Sequence, residues 1–242
     1  MSTSLPPGPP RLPIHPLLGC LPLILAMLLM CLIPLMLYDV GKTAMERLGL
    51  SPISASLAIG GIFIGSLFNY PVYEIHKDEL QPEVQFGPLG AFVQRSYQRV
   101  QARTIVAVNV GGCVIPVALA MLQMMRLAKD GGGAVMVALL VSAISIVVCW
   151  RTARPVEGLG ILMPGFIPPI VSVLATWLFL FNADPEQRAA TAFIAGVAGP
   201  VIGADLLNLK KVTTTPVAVM SIGGAGTFDG IVLSGILSAL LA

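Results

Sequence analysis

From Leu17 to Tyr38 the chain runs for 22 residues without a formal charge. At 1.5 Å per residue such a run is long enough, as a helix, to cross about 30 Å of hydrocarbon. Lipid offers the backbone no hydrogen bonds, so a segment placed there must satisfy its own amides and carbonyls, which a helix does. Six more apolar stretches follow, with edges near Ile53–Ile75, Thr104–Met125, Ala134–Trp150, Gly160–Phe181, Ala189–Leu209 and Val217–Ala242. The fold class read from this pattern is all-α: a polytopic transmembrane helical bundle of about seven spans, several broken by glycine or proline. Composition excludes the alternative of a water-soluble globule, because 56% of the residues are hydrophobic, 11% are charged and the mean hydropathy is +0.88. A soluble domain has about a quarter of its residues charged.

A formal charge of +2 is too small to attract nucleic acid, so no nucleic-acid partner is expected. The four cysteines, Cys20, Cys31, Cys113 and Cys149, form no C-x-x-C pair, and the histidines are His15 and His76 alone. No metal site and no cofactor are read from that set. Each cysteine lies in an apolar run and reads as a small packed hydrophobe.

Residues 1–16 hold six prolines and read as a disordered, polyproline-like arm; 17–242 reads as a single transmembrane domain. No small-residue cleavage site follows the first span, which therefore reads as a retained anchor. Helix entries are marked by Ser51-Pro52, by Thr215-Pro216 and by Asp184-Pro185-Glu186-Gln187, each a capping residue followed by a first-turn proline. Of the fourteen Lys and Arg, nine fall on the amino-terminal side of a seven-span layout. The positive-inside rule then places the amino terminus in the cytoplasm. In the long loop, 76–103, the spacing of Val93, Tyr97 and Val100 against Arg95, Arg99 and Arg103 predicts a basic amphipathic helix on the cytoplasmic side.

Four spans combine a helix break with polar groups. They are Asn69-Tyr70-Pro71, Asn109-Val110-Gly111-Gly112 with Pro116, Pro164-Gly165 with Pro168-Pro169, and Ser221 through Gly230. Broken helices free backbone groups that persist in lipid only beside protein, water or a bound solute, so the pattern predicts a polar intramembrane cavity. Two aspartates stand out. Asp205 lies near the end of the sixth span with Asn208 three residues on, one turn along the same face. Asp229 lies twelve residues past Val217, about 18 Å deep if the segment is one continuous helix. An aspartate there needs a partner, a proton or water. The candidate binding set is Asn69, Asn109, Asp205, Asn208, Ser221, Thr227 and Asp229. Small-residue rows at four-residue spacing, Ala195-Gly199-Gly203 and Gly226-Gly230-Ser234-Ser238, predict that the last two spans pack side by side.

The motifs Leu48-Gly49-Leu50-Ser51-Pro52, Ala107-Val108-Asn109-Val110-Gly111-Gly112, Ile202 through Leu209 and Ser221 through Gly230, in that order, resemble the prokaryotic membrane family catalogued as domain of unknown function 1614. The resemblance covers nearly the whole chain from the first span onward. It implies a polytopic helical bundle in the cytoplasmic membrane of a bacterium or archaeon and brings no reaction. A second likeness is to intramembrane aspartyl proteases, whose two aspartates lie on different helices. The strings here are Gly203-Ala204-Asp205 and Gly226-Thr227-Phe228-Asp229 in place of Gly-x-Gly-Asp. Three functions follow as expectations. The first is a small transporter or ion-translocating protein whose buried aspartates bind a small solute or ion. The second is a protease with Asp205 and Asp229 as its two catalytic carboxylates. The third is a non-catalytic partner or assembly factor for other membrane subunits.

Overall fold

The computed structural model describes the backbone of residues 16–86, 93–156, 160–209, 219–225 and 229–242, and the side chains of these except 16–19, 75–103, 130 and 219. The predicted proline-rich arm lies outside the described residues up to position 15, and Pro16 opens the first helix. The chain divides into two units, Met1–Asp39 and Val40–Ala242. Helix α1 (Pro16–Arg47) supplies the described part of the first unit and is uncharged as far as Tyr38, with Pro22 and Pro34 inside it.

In the second unit, α1 ends at Arg47 and α2 (Pro52–Gly65) begins as the sequence predicts: Ser51 is the N-cap, its Oγ accepting from the Ser54 amide at 3.2 Å, with Pro52 in the first turn. Two long strands follow, β1 (Asn69–Phe86) and β2 (Val93–Asn109), paired antiparallel. Next come α3 (Ile115–Asp130), entered through a π turn at Val110–Val114, and α4 (Gly132–Thr152). The short strands β3 (Arg154–Val156) and β4 (Gly160–Leu162) pair with each other. They lead to α5 (Ile167–Leu180) and α6 (Pro185–Ala198), the latter prolonged by a π segment, Gly199–Leu206. Strand β5 (Val219–Ile222) adds in parallel to β2, and α7 (Gly230–Leu241) closes the chain.

The all-α bundle stands, with seven helices among the described residues. Four apolar helical stretches are long enough to cross a membrane, and the chain is a membrane protein. The predicted seven full spans are not what the helices show: α2, α5 and α7 are 14, 14 and 12 residues long. At 1.5 Å per residue α7 reaches about 18 Å, short of a full crossing.

The shortening has local causes. The span predicted at Ile53–Ile75 stops at Gly65, where Ser66 Oγ donates to the Ile62 carbonyl at 2.6 Å and Pro71, without an N–H, sits at a shift in the β1–β2 register. The span predicted from Thr104 begins as strand, since the β-branched alternation of Thr104, Val106 and Val108 suits a sheet and the helix waits for the Asn109 cap. The helix predicted within 76–103 is strand throughout its described residues. The same stretch also fits a period of two, and pairing of Arg95, Arg99 and Arg103 with Val84, Leu80 and His76 across the ladder decides between the periods. Pro168 and Pro169 do not break a helix but lie in the first turn of α5, where a missing N–H costs nothing. Asp184 is the N-cap of α6 by position, and its side chain makes no capping bond.

The core sits around α6, whose residues Ala189 through Val197 are all buried. It runs antiparallel to α7, because Gly196 lies on Ser234 and Ser238 while Asp205 neighbours Gly230 and Ile231. The predicted pairing of the last two spans therefore holds, but through different glycines. Gly199 and Gly203 face α4 instead, where an added Cβ would run into Ser145 Oγ and the Ile146 carbonyl respectively. Gly230 has open space around it, and Gly235 supplies the close approach on α7, against Val197 and Phe193.

Candidate functional site

At one end of the bundle β2, β5, the π segment and the start of α7 converge. The convergence depends on glycine. Gly223, at φ +72°, ends β5 in a left-handed turn whose backbone lies directly on the backbone of Gly112 in the π turn, so that a Cβ on Gly223 would sit 2.5 Å from the Gly112 carbonyl carbon. Between these parts is a cavity of about 210 Å³ lined by Asp205 and Pro200 from the π segment, Ser221 and Gly223 from β5, Asp229 and Ile231 from α7, and Ile161 and Met163 from the β4 side. The cavity brings Asp205, Ser221 and Asp229 together.

Asp229 is held. It is the N-cap of α7, with Oδ1 accepting from the Ile231 amide at 2.9 Å and Oδ2 from the Ala225 amide at 3.3 Å. It therefore carries negative charge where the helix dipole favours it. The mid-helix depth read from the sequence is corrected here: Val219–Ile222 is strand, and Asp229 stands at a strand-to-helix junction. Asp205 differs, since no hydrogen-bond donor reaches its carboxylate among the described residues.

Ser221 is oriented by a chain of amides whose logic can be followed group by group. The Gly112 amide donates to Asn109 Oδ1 at 2.7 Å, so Asn109 must present its Nδ2 on the other side. That Nδ2 donates to the Ser66 carbonyl at 2.9 Å and to Asn69 Oδ1 at 3.1 Å. Asn69 thus offers an acceptor to Ser221, whose hydroxyl donates to it at 2.7 Å. The only hydrogen on Ser221 Oγ is spent, and what remains for the cavity is lone pairs. Asn69 and Asn109, both predicted as cavity residues, act one layer behind it, and Asn109 is fully buried.

Asn208 is a correction. It was expected beside Asp205 on one face, but its Nδ2 donates to the carbonyls of Gly203 and Ala204, both at 3.0 Å, and to Trp150 at 3.4 Å. It is fully buried and closes the π segment. A π turn takes an extra residue, so positions three apart no longer share the face they share in an α-helix. Thr227 lies outside the described residues. The reading missed the apolar walls, Ile161, Met163 and Pro200. No sequence signal pointed to the walls, because an apolar residue in an apolar span is uninformative.

Among the described residues the cavity's polar side chains are two carboxylates and a hydroxyl that has already donated, and none of the lining side chains is basic. Arg151 and Arg154 line a neighbouring cleft behind Leu162 and Met163. Such a site accepts hydrogen bonds and positive charge and offers none. No group of three or more His, Cys, Asp or Glu able to hold a metal occurs among the described residues. No curated protein and no solved structure matches the chain. The motifs that form the cavity, from the Asn109 cap through Asp205 to Asp229, all fall inside residues 63–241, which match the profile of one family. The chain belongs to the family described as Protein of unknown function (DUF1614).

Proposed function

We propose that this protein is a small transporter that moves a positively charged species, a proton or a small cation, through the Asp205–Asp229 cavity. The observation that carries the reading is the acceptor-only set of side chains that the described residues bring to one cavity, two carboxylates and a spent hydroxyl, with no hydrogen-bond donor on Asp205 among those residues. Asp229 and Ser221 form the fixed part of the site and Asp205 the part that changes charge. The protein is read as sitting in the cytoplasmic membrane of a prokaryote with its amino terminus inside.

The test is flux into vesicles reconstituted with the full chain, followed with an enclosed pH-sensitive dye under an imposed gradient. Asp205→Asn is expected to melt like the unsubstituted protein and carry no flux. A folded, fully active Asp205→Asn protein would refute the reading.

One observation favours a second reading, an intramembrane aspartyl protease: the two carboxylates face the same cavity. Against it, both Asp229 oxygens already hold backbone amides, and about 210 Å³ is little room for a peptide. Labelling of the cavity by a transition-state inhibitor of aspartyl proteases would decide for it.

A further inference from the structure

The long ribbon β1–β2 has two unlike faces. Successive residues of a strand fall on opposite faces, and residues paired across a ladder share one. In the outer part of the ribbon the register pairs Val84 with Arg95, Pro82 with Tyr97 and Leu80 with Arg99, which places these six on one face. Phe86 and Val93 extend it. The opposite face of the same stretch takes Glu83 with Ser96, Gln81 with Gln98 and Glu79 with Val100, and Gln85 and Gln94 extend it. One face thus combines apolar and aromatic residues with two arginines and no acid, and the other combines glutamines with two carboxylates. Nearer the base Arg103 continues the first face beside His76, where Glu74 and Asp78 also fall, and Lys77 falls on the second.

A two-stranded ribbon with one apolar face is marginally stable by itself and needs that face covered. Strand β5 joins the ladder at Ile105–Val108, and among the described residues no third strand pairs with 93–104. What adjoins the ribbon is set by its attachment. Its base, where Asn69 pairs with Asn109, belongs to the cavity end of the bundle, and β2 runs without a gap into Val110–Lys129, a stretch long and apolar enough to cross a membrane. The ribbon is therefore tethered at the edge of the bilayer, where contact with lipid is an intramolecular event and costs little entropy.

We infer that the ribbon lies along the membrane surface at the cavity end, with the face of Arg95, Tyr97 and Arg99 docked on the headgroups of anionic lipids. The residue types match that surface. Guanidinium groups bind phosphate in a bidentate fork, tyrosine and phenylalanine favour the headgroup level, and Leu80, Val84 and Val93 give up water to the acyl boundary. The Glu79 and Glu83 face would be repelled by the same lipids, so the charge pattern selects one face. It also disfavours a second copy of the chain as the cover, because two such faces laid together set arginine against arginine. The inference stands apart from the translocation reading, since it concerns no residue of the cavity.

The test compares neighbours in sequence that the register puts on opposite faces. Full-length Tyr97→Trp and Gln98→Trp are each reconstituted at one copy per nanodisc, in phosphatidylcholine alone or mixed with phosphatidylglycerol. Quenching of the added tryptophan by brominated acyl chains and by aqueous acrylamide is read as the difference from the unsubstituted protein. In the anionic mixture the tryptophan at 97 should be quenched by bromine and that at 98 by acrylamide. Phe86→Trp and Gln85→Trp repeat the comparison on the other strand, so the result does not hang on one variant folding. An arginine near an anionic surface favours docking by about 1 kcal/mol, or about fivefold, so Arg95→Gln with Arg99→Gln should weaken it about 25-fold and bring bromine quenching at 97 down to that at 98. Salt at about 1 M should do the same. Equal quenching at 97 and 98 in the anionic mixture overturns the docking. Bromine quenching at 97 that is unchanged in phosphatidylcholine alone, or in the double arginine variant, overturns the anionic headgroup as its partner. A tryptophan at 97 shielded from both quenchers shows protein on that face and overturns the lipid surface.

Discussion

Gly223→Ala is the substitution that most directly tests how the cavity is built. The residue has φ +72°, which an L side chain adopts only against the clash of its Cβ with the following carbonyl, at about 1–2 kcal/mol. The built Cβ would also lie 2.5 Å from the Gly112 carbonyl carbon and 2.8 Å from the Cys113 amide nitrogen. Both are backbone atoms, pinned by the Asn109 cap, so neither can swing away as a side-chain tip would. Overpacking of that kind costs about 1–3 kcal/mol, giving about 2–5 kcal/mol in all. For a chain of this size such a loss corresponds to a drop in melting temperature on the order of 10 °C. The control is Gly230→Ala, seven residues on, where nothing lies within 4 Å of a built Cβ and the helical conformation of α7 suits alanine. Thermal melts of the two purified variants in detergent, followed by tryptophan fluorescence, make the comparison. Gly223→Ala and Gly230→Ala melting within about 0.5 kcal/mol of each other would refute the close approach of β5 to the π turn, and with it the placement of Ser221 in the cavity.

Two further substitutions separate structure from chemistry. Asp229→Asn keeps an oxygen for the Ile231 amide and loses the acceptor for the Ala225 amide, so it should melt nearer to the unsubstituted protein than Asp229→Ala, which loses the whole cap at about 0.5–2 kcal/mol; equal melts for the two variants would show that the cap contributes nothing. Asn109→Leu strands the buried Gly112 amide, at about 1–3 kcal/mol, so the variant should melt lower by about that amount; normal yield and melting would contradict the amide chain that orients Ser221.

Much of the site was legible in the sequence because polar residues inside apolar spans are conspicuous. Asp205, Ser221 and Asp229 were picked out on that ground, and they share one cavity. Asn69 and Asn109 were picked out by the same signal and proved to be the scaffold behind Ser221, a distinction no spacing rule carries, because an amide that binds a solute and one that binds a neighbouring amide look alike in the chain. Asn208 was misplaced because the face arithmetic assumed an α-helix, and Gly199-Pro200 begins a π segment. The glycine rows were real in kind, yet Gly196 and Gly235 make the contact between α6 and α7 that Gly203 and Gly230 were expected to make.

By itself the sequence determined the solvent. Charge at 11% and uncharged runs long enough to cross a bilayer leave no route to a water-soluble fold, since backbone groups in hydrocarbon must be satisfied within the chain. It also determined where α2 starts, through the Ser51 cap, and where α6 starts, at Asp184-Pro185, while the entry read at Thr215-Pro216 lies outside the described residues. Only the tertiary structure decided that 69–86 and 93–109 pair as strands, that β5 joins them in parallel, and that Asp229 caps a short helix beside Asp205. The reason is range: hydropathy and capping are local free energies, whereas a strand gains its hydrogen bonds from a partner that can lie more than a hundred residues away, as Val108 does from Ile222.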